Sequence, residues 1–260
     1  TGYRPSGRLQ PIADAKAEAR AHARAASARE LWQGQAEWVV TDTPGGFAPT
    51  SPTGFWVHDT LSAQLDPPRA MAALAEAIQA AGGEIAKDGT EEGAVLHATG
   101  WAGLLDLAQK TARPIARGVK GQAALLDADP GEVPQVFVDG LHIVAHGPGR
   151  VAVGSTSENA FDAPETVDEQ LDAVIEKARA AMPALGISPV VQRWAGGRAR
   201  GRSRAPVVGD WPGRPGHVVA NGGFKIGFAL APGLAPFAVD LALEGRDRVP
   251  DAFRLDSLMG

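Results

Sequence analysis

Apolar and polar positions change their rhythm along this chain, from helical spacing to alternation and back. Residues 12–32 are packed with Ala and Arg and contain neither Gly nor Pro, a composition that predicts a helix. Its apolar content is mostly Ala, so it should lie flat on a larger surface. Residues 41–54 hold Pro and Gly among small residues and read as a loop. Asp66 then precedes Pro67, an N-cap followed by proline at the first helical position. Met71, Leu74, Ala75 and Ile78 recur at helical spacing behind it, and Gly82-Gly83 ends the element.

Residues 94–98 form a short apolar run that predicts a buried strand, followed at once by Thr99-Gly100. The period then becomes two. Residues 135–138, 141–144 and 150–153 alternate, with Asp139-Gly140 and Gly147-Pro148-Gly149 between them, which predicts a meander of hairpins. Thr166-Val167-Asp168-Glu169 reads as a capping box. The helix behind it presents Leu171, Val174, Ile175, Ala178 and Met182 on one face and stops before Pro183. Residues 190–194 predict another strand, leading into Arg198, Arg200, Arg202 and Arg204 among small residues. Residues 218–220 are the last buried-strand signal, and they run into Asn221-Gly222-Gly223-Phe224-Lys225-Ile226-Gly227. A final apolar helix is expected from about Phe228 to Leu243, with Pro232 and Pro236 near its start or at a kink. Helices and strand-to-glycine junctions around a β meander suggest α+β or α/β with two interleaved domains.

Composition narrows the classes. Of 260 residues, 44% are hydrophobic, which excludes a disordered chain. There is no Cys, which excludes a disulfide scaffold, a thiolate zinc site and a Cys nucleophile. A net charge of −5 gives no broad attraction to nucleic acid. No apolar run is expected to approach the roughly 18 residues of a membrane span, and no signal peptide is visible, which points to a cytoplasmic protein. The sequence opens on Thr1.

The strongest chemical signal is the segment 221–227. Three glycines between a strand and an apolar helix let backbone N–H groups approach a ligand, and the helix N-terminus adds a partial positive charge. The competing reading is an ordinary strand-to-helix turn. Thr99-Gly100 is a second, weaker junction of the same kind. Arg198 to Arg204 could hold a carboxylate or phosphate, with Arg202 and Arg204 read as solvated charges. His142 and His146 are four apart on a strand, roughly 13 Å at about 3.3 Å per residue, too far to share an ion. No metal ligand set is expected. Ser155 does not sit in G-x-S-x-G, and neither G-x-G-x-x-G nor a P-loop occurs. The residues alone point to an anion- or cofactor-binding α/β protein.

Several pieces recur in a set order: Ser6-Gly7-Arg8-Leu9, Leu65-Asp66-Pro67, Leu96-His97-Ala98-Thr99-Gly100-Trp101 and Val119-Lys120-Gly121-Gln122. After them come Leu141-His142-Ile143-Val144, Val153-Gly154-Ser155-Thr156-Ser157-Glu158, Trp194-Ala195-Gly196-Gly197-Arg198, Pro206-Val207-Val208-Gly209 and Gly222-Gly223-Phe224-Lys225-Ile226-Gly227. This order resembles the flavoprotein family of D-amino acid oxidase, glycine oxidase and sarcosine oxidase. The resemblance implies a glutathione-reductase-like FAD domain (1–37, 60–115 and 195–260) interleaved with an antiparallel-sheet substrate domain (38–59 and 116–194). It implies oxidation of the C–N bond of an amino acid or N-substituted amino acid by hydride transfer to flavin N5, with noncovalent FAD and hydrolysis of the imine. The flavin carries the chemistry, so no catalytic side chain is expected.

Carried over by position, Ser6, Gly7, Arg8, Thr99, Gly100, Gly197 and Gly222, Gly223, Phe224, Lys225, Ile226 and Gly227 are expected to contact FAD. Arg198, Lys225 and His142 are expected to face a small amine or amino acid substrate. Lys225 stands where several relatives carry Arg, and Gly197 and Ala199 flank Arg198 where Leu or Ile and Pro are commoner. The family's first βαβ unit, with G-x-G-x-x-G, lies before the point that corresponds to Ser6-Gly7. That unit is therefore expected in a separate chain, in a part removed by proteolysis, or in a preceding segment of a longer protein. The alternatives are a non-catalytic remnant or structural subunit that does not hold FAD alone, and an Arg-loop binder of nucleic acid.

Overall fold

The computed structural model describes residues 1–256. In chain order the elements are β1 (Arg8–Pro11), α1 (Ala15–Trp32), β2 (Trp38–Thr41), β3 (Trp56–Asp59), α2 (Pro67–Ala80), β4 (Val95–His97) and α3 (Gly100–Lys110). There follow β5 (Ala116–Asp127), β6 (Gln135–Val138), β7 (Leu141–Ala145), β8 (Arg150–Gly154), α4 (Glu169–Ala181), β9 (Val190–Gly201), β10 (Val207–Asp210), β11 (His217–Asn221) and α5 (Gly227–Glu244). The fold is mixed α/β, with an eight-stranded sheet ordered β2-β3-β1-β6-β7-β8-β5-β9 and a three-stranded sheet ordered β10-β11-β4. The chain divides into two compact units. The first comprises Thr1–Ala86, Gln122–Thr156 and Val167–Trp194; the second comprises Lys87–Gly121, Ser157–Thr166 and the chain from Ala195 on.

In the first unit the expected meander is present, with β6, β7 and β8 pairing antiparallel in succession. Its inward positions, Val136, Val138, Leu141, Ile143, Val151 and Val153, are buried against Leu171, Val174, Ile175, Ala178 and Met182 of the α4 segment. Alternation on the sheet therefore meets 3.6-residue spacing on the helix, each large apolar side chain contributing about 1.5–3 kcal/mol. The Ala-rich α1 lies flat as expected, with Ala17 and Ala21 against Ile12, Val57, Trp38 and Val40. Asp66 caps α2 by accepting from the Arg69 N–H at 3.1 Å, with Pro67 at the first position.

In the second unit the three-stranded sheet is covered on both faces. Val207 and Val219 face Leu104 and Leu107 of α3, while Val208 and Val218 face Ala238, Leu234, Phe237 and Leu241 of α5. β11 pairs antiparallel with β10 and parallel with β4.

Five expectations are corrected. The α4 cap is Asp168, whose carboxylate accepts from the Gln170 N–H at 3.0 Å, and the Thr166 hydroxyl instead donates to the Ala163 carbonyl. The Arg198–Arg204 segment is no loop as far as residue 201, because β9 carries it as strand. Helix α3 begins at Gly100, where only a turn was expected. β4 is an edge strand, so Leu96 is 41% exposed rather than buried. Helix α5 has 18 residues with a mean hydropathy of 1.3, long and apolar enough by length and composition to cross a membrane, contrary to the expectation of no such run. Pro232 and Pro236 lie inside it.

Asp168 anchors more than its helix. Gln122 on β5, fully buried, donates to Asp168 Oδ1 at 2.7 Å and accepts from the Asp168 N–H at 2.9 Å. Asp168→Ala should cost about 2 kcal/mol or more, because it removes the cap and takes an acceptor from a buried amide. Thr166→Ala should cost about 0.5 kcal/mol or less. Equilibrium urea unfolding of the two variants checks this, and equal losses would contradict the assignment of the cap.

Candidate functional site

Parallel pairing of β4 and β11 brings their carboxyl ends side by side, the place where open α/β sheets receive ligands. Each strand runs into a glycine junction. Gly100 and Gly222 have φ of +64° and +77°, a conformation that favours glycine. The Asn221 amide ties the two junctions: its Nδ2 donates to the Gly100 carbonyl at 2.8 Å, and its Oδ1 accepts from the Gly222 N–H at 2.7 Å. The loop then closes on itself, since a Cβ on Gly223 would stand 2.7 Å from Gly227 Cα.

Some expected backbone donors of this loop are already committed. The N–H of Phe224 donates to the Ala199 carbonyl at 3.1 Å and that of Ile226 to Gly223 at 3.0 Å, as Gly222 does to Asn221. A ligand would therefore meet the start of α5 at Gly227, whose first N–H groups have no intrahelical partner. Thr99 precedes α3 and makes no side-chain cap; its hydroxyl sits where a Cβ on Gly103 would fall, 1.8 Å away.

Beside this loop stands a group of cations. Arg198 on β9 is half-buried, and its guanidinium lies over Gly121 on β5 so closely that a Cβ there would be 2.0 Å from both Nη atoms. The residue before Gly121, Lys120, is 3% exposed and pairs with Glu158 at 3.5 Å. The two backbones are joined as well, Lys120 N–H to Glu158 carbonyl at 3.0 Å and the reverse at 2.9 Å. Burial pushes Arg198 below its ordinary pKa, and the Glu158 charge pushes back. Lys225 is held below its ordinary value first by burial and then by the charges of Arg198 and Arg200. The Phe224 ring meets two of these cations, with Lys225 Nζ 5.6 Å and Arg200 Cζ 5.5 Å from its centre. Arg202 and Arg204 are exposed, as read from the sequence.

Gly197 has a packing role. A Cβ there would meet the Trp101 indole at 2.6 Å, and one on Gly118 would meet the same ring at 2.9 Å. Trp101 thus lies against two glycines, with Phe161 edge-on to it at 6.2 Å between ring centres. Trp101 closes the 96–101 motif, and its place beside the loop is signalled in the sequence only by the glycines on β5 and β9 that make room for it.

The remaining expected residues belong to the first unit. Ser6 Oγ is buried with no hydrogen-bond partner among the described residues. Gly7 is fixed by packing, with φ +76° and a Cβ that would stand 2.4 Å from the Asp59 carbonyl. Arg8 is engaged by Asp59 at 3.0 Å. His142 on β7 is exposed, 3.3 Å from Gln135 Oε1 and against the Phe137 ring.

The contrast between adjacent glycines on β9 gives a test of the packing. Gly197→Ala must displace Trp101 and should destabilise by about 1–3 kcal/mol. Gly196→Ala meets nothing within 4 Å and should change stability by no more than about 0.5 kcal/mol. Urea midpoints of the two variants compare them directly; similar values would place the indole elsewhere.

Residues 1–241 match the family described as FAD dependent oxidoreductase, DAO. Glycine oxidase of Pseudomonas putida is 31% identical over 176 residues, covering 67% of this chain and 46% of that protein. Glycine oxidase of Bacillus subtilis is 32% identical over 124 residues, 46% of this chain and 33% of that one. The chain thus spans about half the length, or less, of these curated relatives. Among solved structures, glycine oxidase from Geobacillus kaustophilus superposes with a TM-score of 0.79 at 19% identity, covering 98% of this chain and 75% of that one. Iminodiacetate oxidase from Chelativorans gives 0.75 at 19% identity, covering 96% and 75%. At such identities the likeness shows the fold, and the family match extends it to descent: this chain belongs to the DAO family of FAD dependent oxidoreductases.

Proposed function

We propose that this chain works in an FAD enzyme that oxidises the C–N bond of an amino acid or N-substituted amino acid. The observation that carries the reading is the half-buried Arg198 on Gly121, grouped with Lys225 and Arg200 beside a strand-end glycine loop. Neighbouring cations that repel one another, one of them half-buried, favour an anion, and an Arg fork matches a carboxylate. The residues of the second unit fit the family's cofactor as well: the left-handed turn at Gly222 and the uncapped start of α5 are suited to a phosphate-bearing group. Bound FAD, held noncovalently, would supply the two-electron oxidation by taking hydride from the substrate α-carbon, and water would hydrolyse the imine.

The protein's own part is position and charge. Arg198 holds the substrate carboxylate, so that the α-carbon is presented in one orientation. Lys225 adds a second positive charge without a fork, which gives attraction with less directional control than Arg. The start of α5, with its first N–H groups unpaired within the helix, would stabilise negative charge on the bound cofactor. His142 is a further candidate substrate contact by its place in the family's order of motifs, and its exposed ring on β7 leaves it open to one. The two domains by function are 1–37, 60–115 and 195–260 for FAD, and 38–59 and 116–194 for substrate. A preceding segment or partner chain with a G-x-G-x-x-G turn would hold the rest of the dinucleotide. The similarity of the chain to glycine oxidases supports a small amino acid as substrate.

In the flavin-loaded protein, Arg198→Ala should raise KM for carboxylate substrates roughly tenfold to a hundredfold, the loss of about 1.5–3 kcal/mol of charged hydrogen bonding, with flavin content unchanged. Steady-state kinetics with a flavin absorbance count measures both, and an unchanged KM would overturn the assignment. Lys225 loses its proton below the usual lysine pH, so substrate affinity should weaken as pH rises through that depressed value. Lys225→Arg should hold affinity to higher pH; identical KM–pH profiles would remove Lys225 from the site.

A further inference from the structure

A second cluster of functional side chains lies in the second unit, away from the cations. His97 on β4 and His217 on β11 project to the same face, because His97 registers with Val219 and His217 with Val95. His97 Nε2 and His217 Nδ1 are 2.9 Å apart, and the two rings stack with centres 5.2 Å apart and planes within 19°. Glu91, on the segment that leads into β4, brings a carboxylate to the same point. One ligand atom from each of the three lies within 4.8 Å of the other two. Trp211 packs on the His97 ring at 4.5 Å, and Arg214 Nη2 holds Glu91 Oε2 at 2.5 Å.

We propose that Glu91, His97 and His217 form a binding site for a first-row divalent transition ion, with Zn²⁺ the best match. Two imidazoles and one carboxylate, with a fourth position for water, is a recognised zinc donor set. At Zn–N distances of about 2.0–2.1 Å, the 2.9 Å separation of the two nitrogens corresponds to a nearly right angle at the metal. Opening to tetrahedral needs about 0.4 Å more, within reach of small side-chain rotations. Arg214 leaves the second Glu91 oxygen for the ion and orients the carboxylate, as outer partners of metal ligands do. Trp211 fixes the His97 plane. The competing account is a plain His–His hydrogen bond beside a Glu–Arg pair. It requires no affinity for metal, and the two accounts separate cleanly by titration.

The test is isothermal titration of the tag-free, chelator-stripped chain with ZnCl₂, read alongside the urea midpoint of each protein without metal. The proposal expects about one equivalent bound, with His97→Gln and His217→Gln each weakening binding at least about tenfold. His22→Ala, on the exposed side of α1, should bind as the parent does. Glu91 is exposed, so Glu91→Gln keeps the fold and carries the test if a histidine variant fails to fold; it too should bind at least about tenfold more weakly. Less than half an equivalent in the parent, or parental affinity in the folded variants, would overturn the site. Flavin plays no part in the readout, so the result is independent of the proposed oxidase activity.

Discussion

Arg198 lies flat on β5 because residue 121 has no side chain, and the second unit's chemistry depends on that contact. Any Cβ there would push the guanidinium off the strand. The neighbouring Lys120 is buried with Glu158, whose charge also acts on Arg198. A buried charge is costly unless paired, and removing one partner of such a pair typically costs about 3–5 kcal/mol. Glu158 offsets part of the positive charge, and Lys225 and Arg200 add more on the loop side. That balance distinguishes this segment from a solvated arginine loop. It is a strand that carries a half-buried guanidinium, with glycine as the condition for its placement.

The same dependence on missing side chains runs through the site. Trp101 occupies the space left by Gly118 and Gly197, and the 222–227 loop folds against Gly227 because Gly223 has no Cβ. Asn221 fastens the loop to Gly100, so the ends of two parallel strands are held as one surface. Lengthening a side chain at these glycines would act on the ligand surface through displaced neighbours as much as through direct contact.

What was legible in the sequence was what is local. The Asp66-Pro67 start of α2, the buried face of α4 and the three-strand meander depend on residues a few positions apart, and they stand where the pattern put them. The α4 cap was misplaced because Thr166 and Asp168 are both competent caps, and Gln122, 46 residues away on β5, decides between them. β9 was hidden by its own charges: alternating Arg and small residues look like a solvated loop until a neighbouring strand supplies glycine beneath Arg198. α3 was obscured by Gly100 and Gly103, which lower helix propensity, although Leu104 and Leu107 bury fully. The Glu91–His97–His217 cluster depends on the register of two parallel strands joined by a long crossover, and no spacing in the sequence encodes that register. The ordered set of motifs carried the family, whose match spans residues 1–241, while the roles of single glycines needed their neighbours in space.

The central claim is that the cation group and glycine loop serve a flavin that oxidises a carboxylate-bearing amine. The most direct measurement is an anaerobic titration of the full-length protein with glycine, N-methylglycine and other small amino acids, followed by visible absorbance. The account predicts a yellow protein whose flavin bands bleach with at least one of them and recover when oxygen or another acceptor is added. A colourless protein that acquires no flavin when FAD is supplied, or bound flavin that no amino acid reduces, would contradict it.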